Sequence, residues 1–139
     1  MTAECFLDTN VILYAVSPRG NELSKYLRAF EILDAGRFVT SAQVLQEFFV
    51  NATRKITKPL TVVEASTWIE KLAVRPVVAI TEGLVARAIV ISSRFQTSYW
   101  DGAILAAAEA CGAPIVYSED FNHGQSYGTV RVLDPFRPI

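Results

Sequence analysis

The apolar and polar positions of this chain fall into blocks that predict helices separated by short strands. Between Asn21 and Asp34 apolar residues recur at helical spacing, and Gly36 lies where such a helix would end. The apolar segment Asn10–Val16 precedes this helix and leads to Ser17–Gly20, a segment with the Pro and Gly of a turn.

Further helices are predicted where hydroxyl residues have the spacing of helix caps. The pairs at these starts are Thr40 with Gln43, Thr61 with Glu64, Thr81 with Glu82, and Ser98 with Asp101. The helix after Thr40 is predicted to run through Phe49, and the helix after Thr61 to end near Ala73. The helix after Thr81 is predicted to end near Phe95, and Gly112 is predicted to end the helix after Ser98.

Short runs of apolar residues between turn signals are typical of buried strands. These runs are Glu4–Asp8, Phe38–Thr40, Pro76–Ile80, Pro114–Tyr117 and Val130–Leu133. Because they alternate with helices, we expect a parallel sheet that is covered on both faces. The pattern predicts a three-layer α/β/α sandwich with a central, mainly parallel sheet of about five short strands, formed by residues 1–139 as a single domain.

Composition narrows the classes of protein to consider. A chain of 139 residues that is 51% hydrophobic can fold around its own core without disulfides or a structural metal. The net charge of −1 argues against a protein that coats nucleic acid through a basic excess, but a nuclease with a bound metal stays possible. The sequence has no signal-peptide or membrane-span pattern, and Cys5 and Cys111 are interpreted as reduced core thiols. We therefore expect a cytoplasmic location.

Several acidic residues occupy positions where active sites of parallel sheets form. Asp8 ends the first strand and Asp120 closely follows the strand at Pro114–Tyr117, while Glu47 and Asp101 lie early in helices. Ligands of such sheets bind beyond the carboxyl ends of the strands. Two carboxylates about 4 Å apart would repel by about 4 kcal/mol at an effective dielectric constant of 20. A hard cation, Mg²⁺ or Mn²⁺, would offset that repulsion, provided that the acids converge.

Each acid also has a purely structural interpretation. Asp8 and Asp101 suit helix starts, where carboxylates accept backbone N–H groups and interact favourably with the helix dipole. Glu47 suits a solvent-exposed helix face and Asp120 suits a turn. The metal-site hypothesis therefore depends on all four being close in space.

The same residues form a pattern that resembles the PIN-domain nucleases, most closely the VapC-type toxin ribonucleases of toxin–antitoxin pairs. The similarity extends over essentially the whole chain. The segments that carry it are Phe6–Leu13 (FLDTNVIL), Ser41–Phe49 (SAQVLQEFF), Tyr99–Leu105 (YWDGAIL), Ser118–Gly124 (SEDFNHG) and the closing Leu133–Phe136 (LDPF).

This resemblance implies a metal-dependent endoribonuclease that hydrolyses RNA phosphodiester bonds through water activated by Mg²⁺ or Mn²⁺. The catalytic and metal-binding acids it implies are Asp8, Glu47, Asp101 and Asp120. The supporting residues are Thr9, Asn10 and Ser41, with Glu119 as an alternative to Asp120. For His123 a hydrogen-bonding role in its loop is expected and not a catalytic one, because metal-activated water needs no general-base histidine.

The resemblance also implies partners: an RNA substrate, an antitoxin protein and a second copy of the chain. Tyr26, Phe30 and Phe49 are candidates to line a groove for an antitoxin helix. The basic residues that are candidates to contact RNA phosphates, or simply to face solvent, are Arg54, Lys55, Lys58, Arg87 and Arg94.

Three other functions remain open at this point. One is a PIN nuclease that processes RNA without an antitoxin, and a neighbouring gene for a short DNA-binding protein would argue against it. Another is an inactive PIN domain that only binds. The third, a phosphoacceptor signalling domain, would need a Lys at a late strand end, where this chain has PIVYS and VRVLD.

Overall fold

The computed structural model describes residues 4–16 and 22–137. Its strands are β1 (Cys5–Leu7), β2 (Phe38–Ser41), β3 (Val77–Val78), β4 (Ile115–Tyr117), β5 (Ser126–Tyr127) and β6 (Val130–Leu133). Its helices are α1 (Thr9–Val16), α2 (Leu23–Ala35), α3 (Ala42–Arg54), α4 (Val62–Leu72), α5 (Glu82–Phe95) and α6 (Tyr99–Ala110). The predicted turn at Ser17–Gly20 and the predicted helix start at Asn21 lie outside the described residues.

The strands form one sheet in the order β3-β2-β1-β4-β6-β5. Every pairing is parallel except the one between β5 and β6. The helices flank this sheet, so the predicted α/β/α sandwich with a mainly parallel sheet is confirmed. The expected count of about five strands omitted β5, because its two residues lie between Gly124 and Gly128 in a segment with the composition of a loop.

The core lies around β1 and α6. Phe6 and Leu7 are fully buried in β1, between β2 and β4. In α6 every residue from Gly102 to Ala108 is buried, because this helix packs against β4, β6 and α5. No helix in the described part of the chain has the length and apolarity needed to cross a membrane.

Most helix boundaries follow the predicted caps. The hydroxyls of Thr61, Thr81 and Ser98 each accept a hydrogen bond from the backbone N–H three residues later. Gly36 ends α2 in the left-handed conformation, with φ +70°.

The predicted cap at Thr40 was wrong. Strand β2 continues through Ser41, whose hydroxyl accepts a hydrogen bond from the Val44 N–H and begins α3, while Thr40 is fully buried in the strand.

Candidate active site

The carboxyl ends of β1 and β4 meet where the order of the strands changes direction. From β1 the chain passes outward to β2 and β3, and then returns to place β4 on the other side of β1. In open α/β sheets such a point opens the crevice in which ligands bind. Asp8 follows β1 and Ser118 follows β4 at this crevice, and the Asp8 N–H donates to the Tyr117 carbonyl across it.

The Asp8 carboxylate is buried, with only 5% of the residue exposed. The Ser118 hydroxyl donates to Asp8 Oδ2 at 2.7 Å, and the Thr9 N–H donates to Oδ1 at 2.8 Å. Burial raises the pKa of Asp8 to about 7, and repulsion from Asp120 and Glu47 adds to the rise despite the opposing hydrogen bonds. The charged form of Asp8 is therefore held at a free-energy cost that a nearby cation would relieve.

Two side chains fix the Glu47 carboxylate. The Thr9 hydroxyl donates to Glu47 Oε2 at 2.9 Å, and Gln43 Nε2 donates to Oε1 at 2.9 Å. Gln43 also reaches the Trp100 carbonyl at 3.3 Å. These contacts connect α3 to the starts of both α1 and α6. Glu47 therefore lies beyond the same end of the sheet as Asp8.

Asp101 lies in the first turn of α6, where its N–H donates to the Ser98 hydroxyl at 3.0 Å. Burial raises the pKa of Asp101, and repulsion from Asp120 and Glu47 raises it further. Asp101 therefore shares an electrostatic neighbourhood with acids from two other elements.

The side chains of Asp120 and Glu119 point to different partners. Asp120 Oδ2 accepts a hydrogen bond from Asn10 Nδ2 at 3.1 Å, and its charge acts on both Asp8 and Asp101. Glu119 instead forms a 2.6 Å ion pair with Lys25 of α2. The geometry favours Asp120 over Glu119 as the fourth acid of the site.

Two of the three polar residues expected to support the acids contact one of them, and the third does not. Thr9 and Asn10 contact carboxylates of the four acids directly. Ser41 does not show such a contact and serves as the cap of α3. His123 Nδ1 accepts a hydrogen bond from the Asp134 N–H at 2.9 Å, which connects the loop after β4 to the residue that follows β6.

The donor set fits a hard divalent cation. The four acids, Asp8, Glu47, Asp101 and Asp120, offer oxygen atoms alone, the ligands that Mg²⁺ and Mn²⁺ prefer. Within residues 4–16 and 22–137, no three Asp, Glu, His or Cys side chains are close enough together to ligate one ion. Mg²⁺ typically binds through one or two carboxylates, together with waters and substrate phosphates. The arrangement therefore fits an ion that one or two of these carboxylates ligate, with water and substrate phosphate as its other ligands.

Sequence reasoning missed two side chains that orient the acids, Ser118 and Gln43, and a third, Lys25, that pairs with Glu119. Ser118 lies in the segment Ser118–Gly124 that carries the family resemblance, but its contact with Asp8 has no signal in the sequence, and the spacing from Thr40 predicts only a capping role for Gln43. The separation of Gln43 and Glu47 by four positions on one helix was a usable signal for their contact. Lys25 offered none, because its partner Glu119 is distant in sequence.

The basic residues that are candidates to contact RNA phosphates differ in whether an acidic side chain already pairs with them. Arg87 makes two hydrogen bonds to Glu109, at 2.7 and 2.9 Å, so its guanidinium joins α5 to α6. Arg54, Lys55 and Lys58 are exposed at the end of α3 and just beyond it.

Comparisons with known proteins agree with this architecture. A model of the PIN domain family matches residues 5–125. No curated protein matches the sequence.

Several solved structures are similar in fold. A chain in the structure of FitAB bound to a DNA fragment is 21% identical, and the match covers 97% of each chain with a TM-score of 0.66. A toxin–antitoxin complex from Klebsiella pneumoniae shares 16% identity, covers 94% of this chain and 97% of that one, and has a TM-score of 0.70. VapC20 of Mycobacterium tuberculosis, a sarcin–ricin loop cleaving toxin, is 22% identical, and the match covers 91% of this chain and 98% of that one with a TM-score of 0.65.

The family match covers most of the chain, and these structures share its fold. This chain belongs to the PIN domain family.

Proposed function

We propose that this protein is an endoribonuclease that hydrolyses RNA phosphodiester bonds with Mg²⁺ or Mn²⁺. The observation that carries the proposal is the buried Asp8 carboxylate, which two donors hold while Glu47 and Asp120 repel its charge. A fold that served stability alone would gain by replacing such a group with a neutral one. Retaining it is expected where a cation and a phosphate complete the site.

The residues proposed to surround the ion are Asp8, Glu47, Asp101 and Asp120, with one or two of them as direct ligands and the others acting through coordinated waters. When bound, Mg²⁺ or Mn²⁺ lowers the pKa of a coordinated water and neutralises charge on the phosphate. The side chains around the acids restrict how each carboxylate can turn. Thr9 and Gln43 orient Glu47, Ser118 orients Asp8, and Asn10 orients Asp120. Because these contacts exist before substrate arrives, little reorganisation is needed when the phosphate binds.

A cleavage assay tests this function. Purified protein is incubated with single-stranded RNA in Mg²⁺, in Mn²⁺ and in EDTA, and wild type is compared with Asp8→Asn. Asp34→Asn is the matched control, because it removes the same charge from an exposed position near the end of α2. We expect cleavage only with a divalent ion and a loss of at least about a hundredfold in Asp8→Asn alone. EDTA-resistant cleavage, or full activity of Asp8→Asn, contradicts the proposal.

We further propose that the ribonuclease is the toxin of a toxin–antitoxin pair. The similarity in fold to the Klebsiella pneumoniae complex and to VapC20 supports this, and so does an exposed apolar face on α2 formed by Leu23, Leu27 and Phe30. Such a face suits the apolar side of an antitoxin helix. Tyr26 and Phe49, the other candidates for the groove, are each only partly buried. The homodimer and the cytoplasmic location stay predictions.

Expression in a bacterial host tests the toxin role. We expect growth arrest with the wild type and normal growth with Asp8→Asn, and we expect co-expression of a short protein encoded next to this gene to restore growth. Cleavage without growth arrest would favour the RNA-processing alternative. Folded protein that cleaves no RNA would favour the binding-only alternative.

A further inference from the structure

The indole of Trp100 is exposed at the start of α6, next in sequence to Asp101. Trp100 is the second residue of α6 and directly precedes Asp101, and 65% of its surface is open to solvent. Tryptophan is highly buried on average, so a large exposed indole beside a candidate site is informative. The other tryptophan, Trp68, is partly buried and packs against the Phe48 ring.

Neighbouring groups hold Trp100 in one place. The Tyr99 ring meets the indole edge to face, with centroids 5.0 Å apart and an interplanar angle of 83°. The Trp100 carbonyl accepts a hydrogen bond from Gln43, whose same amide nitrogen donates to Glu47. The backbone of Trp100 is thus connected to Glu47 through one side chain and to Asp101 through one peptide bond.

We infer that Trp100 stacks on a base of the RNA whose phosphate occupies the acid site. This inference rests on the proposed ribonuclease function. A protein with a net charge of −1 and a cluster of acids in its site gains little affinity for RNA from charge alone. Stacking on an aromatic side chain needs no positive charge, and it accepts any base that is not paired. Stacking on Trp100 would therefore supply affinity for RNA close to the acids, whose negative charges repel the phosphate.

The position of Trp100 favours RNA over a protein as the partner of this side chain. The exposed apolar residues of α2 form a face of their own, whereas Trp100 lies on α6, adjacent in sequence to Asp101. Because the Trp100 backbone is connected to Asp101 and, through Gln43, to Glu47, a base next to a phosphate at the acids is the part of a substrate that we expect near this indole.

Fluorescence tests the contact directly. In the double variant Trp68→Phe, Asp8→Asn the indole of Trp100 is the only one left, and the RNA is not cleaved. We expect its emission to be quenched by a short single-stranded RNA in Mg²⁺. An abasic strand of the same length, which keeps the phosphates and lacks the bases, should leave the emission unchanged. Equal quenching by both strands, or by neither, overturns the inference.

Affinity and activity give a second readout. In the Asp8→Asn background, Trp100→Ala should raise the Kd for RNA by about 5- to 100-fold, and Trp100→Phe should restore most of the affinity. Trp100→Ala should melt at the same temperature as its parent, because the side chain buries little surface.

The outcomes separate this inference from the function on which it rests. If wild type cleaves RNA and Trp100→Ala cleaves and binds it equally well, the stacking contact is wrong and the nuclease stands. If wild type cleaves no RNA, both are wrong. If the emission of Trp100 changes with protein concentration in the absence of RNA, a second copy of the chain covers the indole and the inference fails.

Discussion

The Ser118 hydroxyl donates a 2.7 Å hydrogen bond to the Asp8 carboxylate across 110 positions of sequence. The same oxygen accepts hydrogen bonds from Asn10 Nδ2 at 3.2 Å and from the Asp120 N–H at 3.0 Å. One buried side chain therefore joins the end of β1 to the loop that follows β4 and sets the positions of two acids. This relationship makes Ser118 a positioning residue of the site.

Replacing Ser118 by Ala should impair cleavage without unfolding the protein. The hydrogen bond from Ser118 lowers the pKa of Asp8, so its loss should move the acidic limb of the cleavage profile to higher pH. We expect a loss of about 10- to 100-fold in kcat/KM, a size typical of residues that orient metal ligands. Ser118→Thr should recover most of the activity. An unchanged pH profile in Ser118→Ala would show that the contact is structural only.

Metal-free protein should become less stable as pH rises toward 8. The pKa of Asp8 is about 7 in the folded protein against 3.8 for the ordinary group, so the folded state binds more protons between these values. This contribution is complete below pH 4 and is lost as pH rises through 7.

Thermal unfolding in EDTA measures this effect. Asp8→Asn has no such titration, so at pH 8 it should be more stable than wild type by at least about 1 kcal/mol, which is a few degrees in Tm. At pH 4 the two should be much closer. Adding Mg²⁺ at pH 8 should raise the Tm of wild type clearly more than that of Asp8→Asn. A difference in Tm that does not depend on pH contradicts the assignment.

Neutralising Asp120 should cost far more activity than neutralising Glu119. Asp120→Asn removes a charge that acts on Asp8 and Asp101, whereas Glu119→Gln removes the partner of Lys25. We expect at least about a hundredfold loss of cleavage in Asp120→Asn and less than about tenfold in Glu119→Gln. The opposite order would make Glu119 the fourth acid.

Gly102 should tolerate no larger residue. A Cβ at this position would lie 2.7 Å from the Ser92 Cβ and 2.8 Å from the Ala88 carbonyl oxygen, so α5 and α6 would have to separate. Gly102→Ala should destabilise the fold by about 1–3 kcal/mol and lower cleavage, because Asp101 moves with α6.

Gly83→Ala is the matched control for Gly102. Its added Cβ would have only the Thr81 hydroxyl nearby, at 3.9 Å. It should keep full activity and equal or slightly higher stability, since Ala favours a helix over Gly. Wild-type stability of Gly102→Ala in urea unfolding would contradict the close packing.

The fold was predictable from sequence because its signals are local. Capping residues such as Thr61 and Thr81 act within one turn, and the apolar strands alternate with helices along the whole chain. Strand β5 was missed because Ser126–Tyr127 is too short to show a pattern and depends on pairing with β6. The error at Thr40 has the same origin, since pairing within the sheet overrides a local capping signal.

The placement of the four acids after strands and early in helices was also predictable from sequence, because these positions are local features. Their surroundings were not. The burial of Asp8, the hydrogen bonds of Gln43 and Ser118, and the ion pair between Lys25 and Glu119 arise only when distant elements pack together.

Binding of Mn²⁺ tests the central claim of this account most directly. Titration of Mn²⁺, followed by electron paramagnetic resonance, is compared between wild type, Asp8→Asn and the exposed control Asp34→Asn. We predict saturable binding that Mg²⁺ displaces in wild type and in Asp34→Asn, and binding at least about tenfold weaker in Asp8→Asn. Equal binding by all three proteins, or no saturable binding by wild type, would show that these acids do not form a metal site.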